Sequence, residues 1–385
     1  MQRRKFTQSI AALTPLVLGS GCSAFDTASA NPPSEISYVG SGNWPTVFAN
    51  PQNTGHTEHR IDWKTAKMHP TIRSAQIDQH SLSPIVVADQ SLAAVGSTTV
   101  LLCNLKNDET EWRYETEQKI MSGPAIANET VYFSTTEKVL ALDLSSGDIR
   151  WTVETTSLDL PLLPSQGRLI VEDKTRSKLL GLDSISGEQS WTQSIANSPQ
   201  GIALADTTAF VTQRGNTSGS VTAFDTKIGD QQWQRTFDPI SIAPTVAGDH
   251  VLVGTKGGTV YALNRTDGTT AWKKSVVDAR EGIFTPLSVD EDFVYIAPNN
   301  GDRTVALALR DGSKRWSADS SMSTMGIAST ADSVLVPHRD SLVVRKKSDE
   351  TVVREVEFGT VIASFCPTGE GVFVASGDEV YRLGG

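Results

Sequence analysis

Six tryptophans, Trp112, Trp151, Trp191, Trp233, Trp272 and Trp316, recur at intervals of 39, 40, 42, 39 and 44 residues. A fixed period of this length marks a chain built from one repeated unit, in which each unit's apolar face is covered by its neighbours. The residues around the tryptophans agree. Residues 141–151 read ALDLSSGDIRW, 181–191 GLDSISGEQSW, 223–233 AFDTKIGDQQW, 262–272 ALNRTDGTTAW and 306–316 ALALRDGSKRW. Residues 102–112, LCNLKNDETEW, are a weaker copy with Asp108 where the others have Gly, and 343–353, VVRKKSDETVV, is a degenerate one with Val353 at the expected Trp position.

Within a unit the apolar residues come in short runs between turn clusters; in the second these are AIA (125–127), VYFS (131–134), VLALDL (139–144) and IRWTVE (149–154). Runs of this length, rich in β-branched and aromatic residues, read as strands. Gly147, Gly187, Gly229, Gly268 and Gly312 fall where the last two strands turn and would supply the positive φ a tight hairpin needs. Four strands in about 40 residues is one blade of a β-propeller. Pro84, Pro124, Pro164, Gly201, Pro244, Pro286, Gly326 and Pro367 give an independent count, because proline is confined to strand starts and free edges. The expected fold is therefore all-β, an eight-bladed propeller. Its last unit stops at Val380-Tyr381-Arg382-Leu383, one strand short. Closing the ring removes exposed sheet edges, so residues 68–76 are expected to return as the missing outer strand, with Ile72 near the Trp position. The alternative is a seven-bladed ring with a loose tail.

The Trp word resembles the repeat of pyrroloquinoline-quinone (PQQ) quinoproteins, A-x-D-x-x-T-G-x-x-x-W, and Asn43-Trp44-Pro45 through Asn53-Thr54-Gly55 resembles the lead-in of PQQ-like repeat proteins. The resemblance runs over about residues 43–385. It implies that the six Trp rings pack between blades, so none is assigned to a ligand. It also implies that a PQQ-dependent dehydrogenase would carry adjacent cysteines over the cofactor and a calcium site of Glu, Asn and Asp. No Cys-Cys pair occurs and no such acidic set can be assigned, so no catalytic or cofactor-binding residue is named and no cofactor is expected. In size and layout the chain is similar to the BamB type of lipoprotein, an eight-bladed scaffold that helps assemble outer-membrane proteins. The expected function is a non-catalytic binding or assembly scaffold, with the BamB type and a PQQ-dependent dehydrogenase as the alternatives.

The N-terminus supplies an address. Arg3-Arg4-Lys5-Phe6, a short apolar stretch and Gly19-Ser20-Gly21-Cys22 read as a twin-arginine export signal ending in a lipobox, with Cys22 as the lipidated residue. Residues 23–42, rich in Ser, Ala, Asn and Pro, read as a flexible tether, and 43–385 as the propeller domain. The expected location is outside the cytoplasmic membrane, lipid-anchored at the cell surface or in the periplasm. A net charge of −10 disfavours nucleic acid as a partner; protein partners and a membrane attachment through lipid are expected. Cys103 and Cys366 are expected as two buried thiols. His56-x-x-His59 with Glu58 has no further ligand nearby in sequence and reads as solvated loop, so no metal is expected. One charge pattern stands out: Arg176, Arg214, Lys256, Arg303 and Arg339 fall in equivalent turns between second and third strands, which all open on one face. They form a candidate binding rim, with Thr212 to Ser220 and Glu172 to Lys178 as its longest turns.

Overall fold

Thirty-two strands assemble into eight four-stranded antiparallel sheets in the computed structural model. It describes residues 43–44, 46–73, 84–155, 160–173, 175–277, 282–298, 303–320, 326–377 and 379–384; Cys22 and the stretches expected as export signal and tether lie outside these. Seven sheets are consecutive meanders, and we number the blades from Ile85 onward. The eighth pairs Ile362–Thr368, Gly371–Ser376 and Glu379–Gly384 with the N-terminal strand Lys67–Arg73. First strands of neighbouring blades touch at six junctions, among them that of blades eight and one, which closes the ring, and these strands line its axis.

The burial of each strand follows from its place in the blade. Second and third strands, such as Thr130–Ser134 and Lys138–Asp143, are buried almost throughout, because neighbouring blades cover both faces of the sheet. The outermost strand alternates: in Ile149–Glu154 only Trp151 is buried, and Gln189–Ser194 repeats the pattern with Trp191. The tryptophans staple adjacent blades. Each indole Nε1 donates to a backbone carbonyl of the next blade: Trp112 to Leu144 (2.7 Å), Trp151 to Ser184 (3.1 Å), Trp191 to Thr226 (2.8 Å), Trp233 to Arg265 (3.0 Å), Trp272 to Leu309 (2.7 Å) and Trp316 to Lys347 (2.8 Å). For the first five the ring also sits on the turn glycine of that next blade; beyond Trp316 that place is taken by Glu350 at φ +55°. Gly268 has φ +70°, and a Cβ there would lie 2.5 Å from Trp233. Glycine is needed for backbone conformation and for space at once.

Three details depart from the expectations. In blade seven the residue in the Trp position is Arg354, paired with Val344 as Trp151 is paired with Ala141; the repeat word of this blade therefore runs 344–354, and Val353, at the bulge position that Arg150 takes in blade two, is exposed. Ile72 pairs with Val380, whereas His69, opposite Arg382, stands in the Trp position of blade eight. The strand is described only to Arg73, and Ser74 to Gln76 lie outside the described residues. Finally, Pro164 opens its strand as expected but Pro367 does not: it lies inside Ile362–Thr368 and pairs with Val372. Both sit on the inner strand, where the edge toward the axis asks for no N–H donor, so proline marks that strand without fixing its register.

Candidate functional site

A strap runs from the axis to the rim. Residues 44–59 cross the face that carries the turns between first and second strands, and their backbone bonds the inner strands one after another. Trp44 exchanges both backbone bonds with Val87 of blade one. The carbonyls of Pro51, Gln52, Thr54 and Gly55 then accept the N–H groups of Leu204, Val246, Val289 and Ser329, in blades four to seven. Asn53, buried at 1% exposure, donates its amide to the carbonyls of Ile202 (2.7 Å) and Pro244 (3.0 Å). Inner strands have an unpaired edge, and an extended peptide is what can satisfy it. Past His59 the chain turns outward under blade seven. Trp63 Nε1 donates to Ser333 Oγ, and Arg354 donates to the carbonyls of Trp63 (2.8 Å) and Ala66 (2.6 Å). That delivers Lys67–Arg73 to the open edge of blade eight. Arg354 does for the strap what tryptophan does elsewhere between blades.

His56 and Glu58 were expected in a solvated loop. The structure buries His56, whose side chain is 10% exposed, against blades six and seven. Its Nδ1 shares a hydrogen bond with Ser329 Oγ (2.9 Å), its Nε2 with Glu58 Oε1 (2.9 Å), and Ser329 Oγ lies 2.9 Å from Ser288 Oγ. This is a Ser-His-Glu constellation, but Ser329 is fully buried and its own N–H is spent on Gly55, so no substrate carbonyl can reach the hydroxyl. Nearby, Lys347 Nζ and Asp290 Oδ2 pair at 2.7 Å with little exposure, and Tyr295 donates to the same carboxylate (3.0 Å). Burial raises the Asp290 carboxyl, yet Lys347 and the Asp292 and Phe293 amides outweigh it and hold the group below its usual value. Burial, aided by Lys347, lowers His56 against the opposing bond from Glu58. The cluster acts as a lock on the strap. Sequence reasoning missed it because its members come from positions 56, 290, 329 and 347, with no shared motif.

Above the strap the axis opens into a chamber. The turn from Thr46 to Ala49 raises Val47 and Phe48 into it, and cavities of about 530 and 330 Å³ lie against these two side chains. Met121, Leu160, Ile242 and Phe284 line the larger one, with Gln200 and Ser241 among its few polar side chains. No Asp, Glu, Lys, Arg or His among the described residues lines either cavity. A bound PQQ with calcium would need carboxylates and adjacent cysteines here, and the described lining does not fit that group. Cys103 and Cys366 are free, buried in the shared core of blades eight and one. Burial raises both thiols, Cys103 to about 11.

The five candidate cations sit at the ends of second or third strands, or in the turns between them, on the chamber's face. They occupy blades three to seven and so form a crescent; the matching turn of blade one, Gly96-Ser97-Thr98, is uncharged. Arg176 is tied to the buried Asp173 at 2.9 Å, Lys256 lies 5.9 Å from the Phe284 ring centroid, and Arg214, Arg303 and Arg339 are exposed, with Asp340 beside Arg339. The turns expected to be long are short. Arg214 ends one strand and Gly219 begins the next, and Glu172 and Asp173 are buried strand residues.

Comparison with known proteins fits this architecture. A family profile described as outer membrane protein assembly factor BamB matches residues 46–217 and 217–365. The outer membrane protein assembly factor BamB of Moranella endobia is 24% identical over 211 residues, 50% of this chain and 52% of that protein; the chain thus spans about half the length of this relative. The crystal structure of BamB from Moraxella catarrhalis superposes with a TM-score of 0.67 at 20% identity, over 83% of this chain and 99% of that one. Quinohemoprotein alcohol dehydrogenase from Comamonas testosteroni superposes at 0.72 with 14% identity, over 90% and 81%. At these identities the two structures share the fold and carry no more than that.

Proposed function

From the premise that this chain belongs to the PQQ-like propeller family described as outer membrane protein assembly factor BamB, we propose that it is a non-catalytic scaffold that assists the assembly of outer-membrane proteins. The observation that carries the reading is the chamber. General acid–base and nucleophilic catalysis need ionisable groups converging on one reacting atom, and the lining offers none among the described residues. The serine of the Ser-His-Glu cluster is fully buried, and the cluster serves the strap. The surface supports a protein partner: Ile149, Ile185 and Ile228, each within two residues of a turn glycine in blades two, three and four, are 52, 57 and 63% exposed. An apolar row on consecutive blades is a feature of interaction surfaces. Export by the twin-arginine signal and anchoring through Cys22 place the scaffold outside the cytoplasmic membrane in this reading.

Affinity capture from membranes of the producing cell, with the full chain as bait, tests the proposal. Outer-membrane assembly proteins should co-purify, and their recovery should fall when Ile185 and Ile228 are both replaced by Asp. Quinone absorbance and alcohol oxidation after addition of PQQ and calcium would overturn it. Cys22→Ser should release the chain from membranes, since lipid attachment is what holds it there; a variant that still resists a carbonate wash removes the anchor.

A further inference from the structure

The chamber and the crescent lie on one face, and together they describe a ligand. We infer that the chamber takes an apolar peptide segment flanked by acidic residues, entering from the face of the cationic crescent. The inference rests on the scaffold reading only in that such a segment would belong to a client or partner protein.

Three observations converge. First, 20% of the chain is charged, yet the described lining of both cavities holds no ionisable side chain. A phosphate, sugar acid or metal ion would find no partner there. The larger cavity falls in the size range of ligand pockets that are mostly apolar with a few polar groups. Second, the same inner strands already bind backbone from elsewhere in the chain, each through one N–H bond to an irregular segment in which Asn53 and Gly55 have positive φ. Over their C-terminal ends, residues 51–55 of the strap satisfy the free edge through main-chain bonds; the N-terminal ends face the chamber. Third, the chamber is reached by solvent, since Met121, Gln200, Ser241 and Phe284 are partly exposed. Lys256 sits against Phe284 at the edge of this chamber, and Arg214 and Arg339 are exposed on the same face. Acidic flanks match those cations; the apolar middle matches the wall.

The test is fluorescence anisotropy with the purified full chain and a labelled peptide, Asp-Asp-Val-Phe-Val-Leu-Val-Asp-Asp. Saturable binding is expected, abolished when the five apolar residues are replaced by Ser. Ser241→Trp, which fills the cavity from a position whose hydroxyl has no protein partner, and Met121→Asp, which places a charge in it, should each weaken binding at least tenfold. Circular dichroism melting establishes that both variants fold; should one fail, the other carries the comparison. Arg214→Glu should weaken binding about threefold at low salt and less at high salt. No saturable binding by the wild type, or equal binding by a folded cavity variant, overturns the inference. So does retention of palmitate by the chamber with no retention of peptide, which would make the ligand a lipid. If the Ser241→Trp variant captures outer-membrane assembly proteins normally while the wild type binds no peptide, the chamber inference falls alone. If the wild type captures none of them, the scaffold reading falls whatever the peptide does.

Discussion

Individual side chains in this protein earn their place through a few bonds that can be removed one at a time. Trp272→Phe keeps most of the ring but leaves the Leu309 carbonyl, in a buried residue, without its donor. The cost expected is ~1–3 kcal/mol, the penalty of an unsatisfied buried group. Trp112→Phe should cost less, because Trp112 and its acceptor Leu144 are both half-exposed and water can replace the indole; urea midpoints of the two variants give the order. His56 predicts a pH dependence of definite sign. Its folded pKa lies below 6.5, so the unfolded chain binds the proton first. The stability it secures is complete above pH 6.5 and is lost as the pH falls through the folded value. His338 is shifted the same way, so the relevant quantity is the difference between wild type and His56→Gln measured from pH 7.5 to 5. That difference should shrink with acid; a constant gap would mean the imidazole contributes packing alone. Breaking the lock by Lys347→Met should cost about 3–5 kcal/mol, since it strands the Asp290 carboxylate.

At the level of elements, the strap and its outward run depend on Arg354. Arg354→Ala removes two donors to the Trp63 and Ala66 carbonyls. Amide exchange in Lys67–Arg73 should then accelerate at least tenfold, while blade three stays protected; uniform acceleration would mean the arginine supports the ring as a whole. How legible such elements are in sequence depends on whether they repeat. The blades could be counted because six copies present an indole to the next blade and five of those indoles sit on a glycine, so the same need recurs with the same spacing. Arg354 was unreadable because blade seven has neither the Trp nor the turn glycine, Glu350 taking the glycine's place at φ +55°, so its repeat word had no anchor for its register. The strap was readable only as a resemblance: an irregular extended segment has no period, and Asn53 finds its acceptors 149 and 191 residues away. The chamber was unreadable for a related reason, since its walls are the ends of strands from six blades and its floor is a turn at Val47 and Phe48. The cations could be placed on one face from their turn positions, but not their pairing: nothing near Arg176 in sequence says that Asp173 is buried and holds it.

Across the whole molecule, the cationic crescent occupies turns on the chamber's side, and the turns between first and second strands on the strap's side carry Asp89, Asp206, Asp249 and Asp332. Potentials on one face act on partners even when net charge is opposite. Arg214→Glu with Arg339→Glu should lower the association rate with an acidic partner several-fold at low ionic strength and leave stability within about 0.5 kcal/mol. The same reversal at Lys227 and Arg310, in turns of the opposite face, is the control; equal loss from both pairs would mean that net charge alone matters. The N-terminal closure also sets an order of events in time. A chain made from its N-terminus exposes Lys67–Arg73 first, but the partner strand, Glu379–Gly384, is the last to appear. Until then the earliest segment of the domain waits unpaired, and ring closure joins residues some 300 positions apart, a slow step for non-local pairing. A ribosome that stops short of Glu379 therefore releases a chain with two open edges, and the cell must either finish this protein or destroy it.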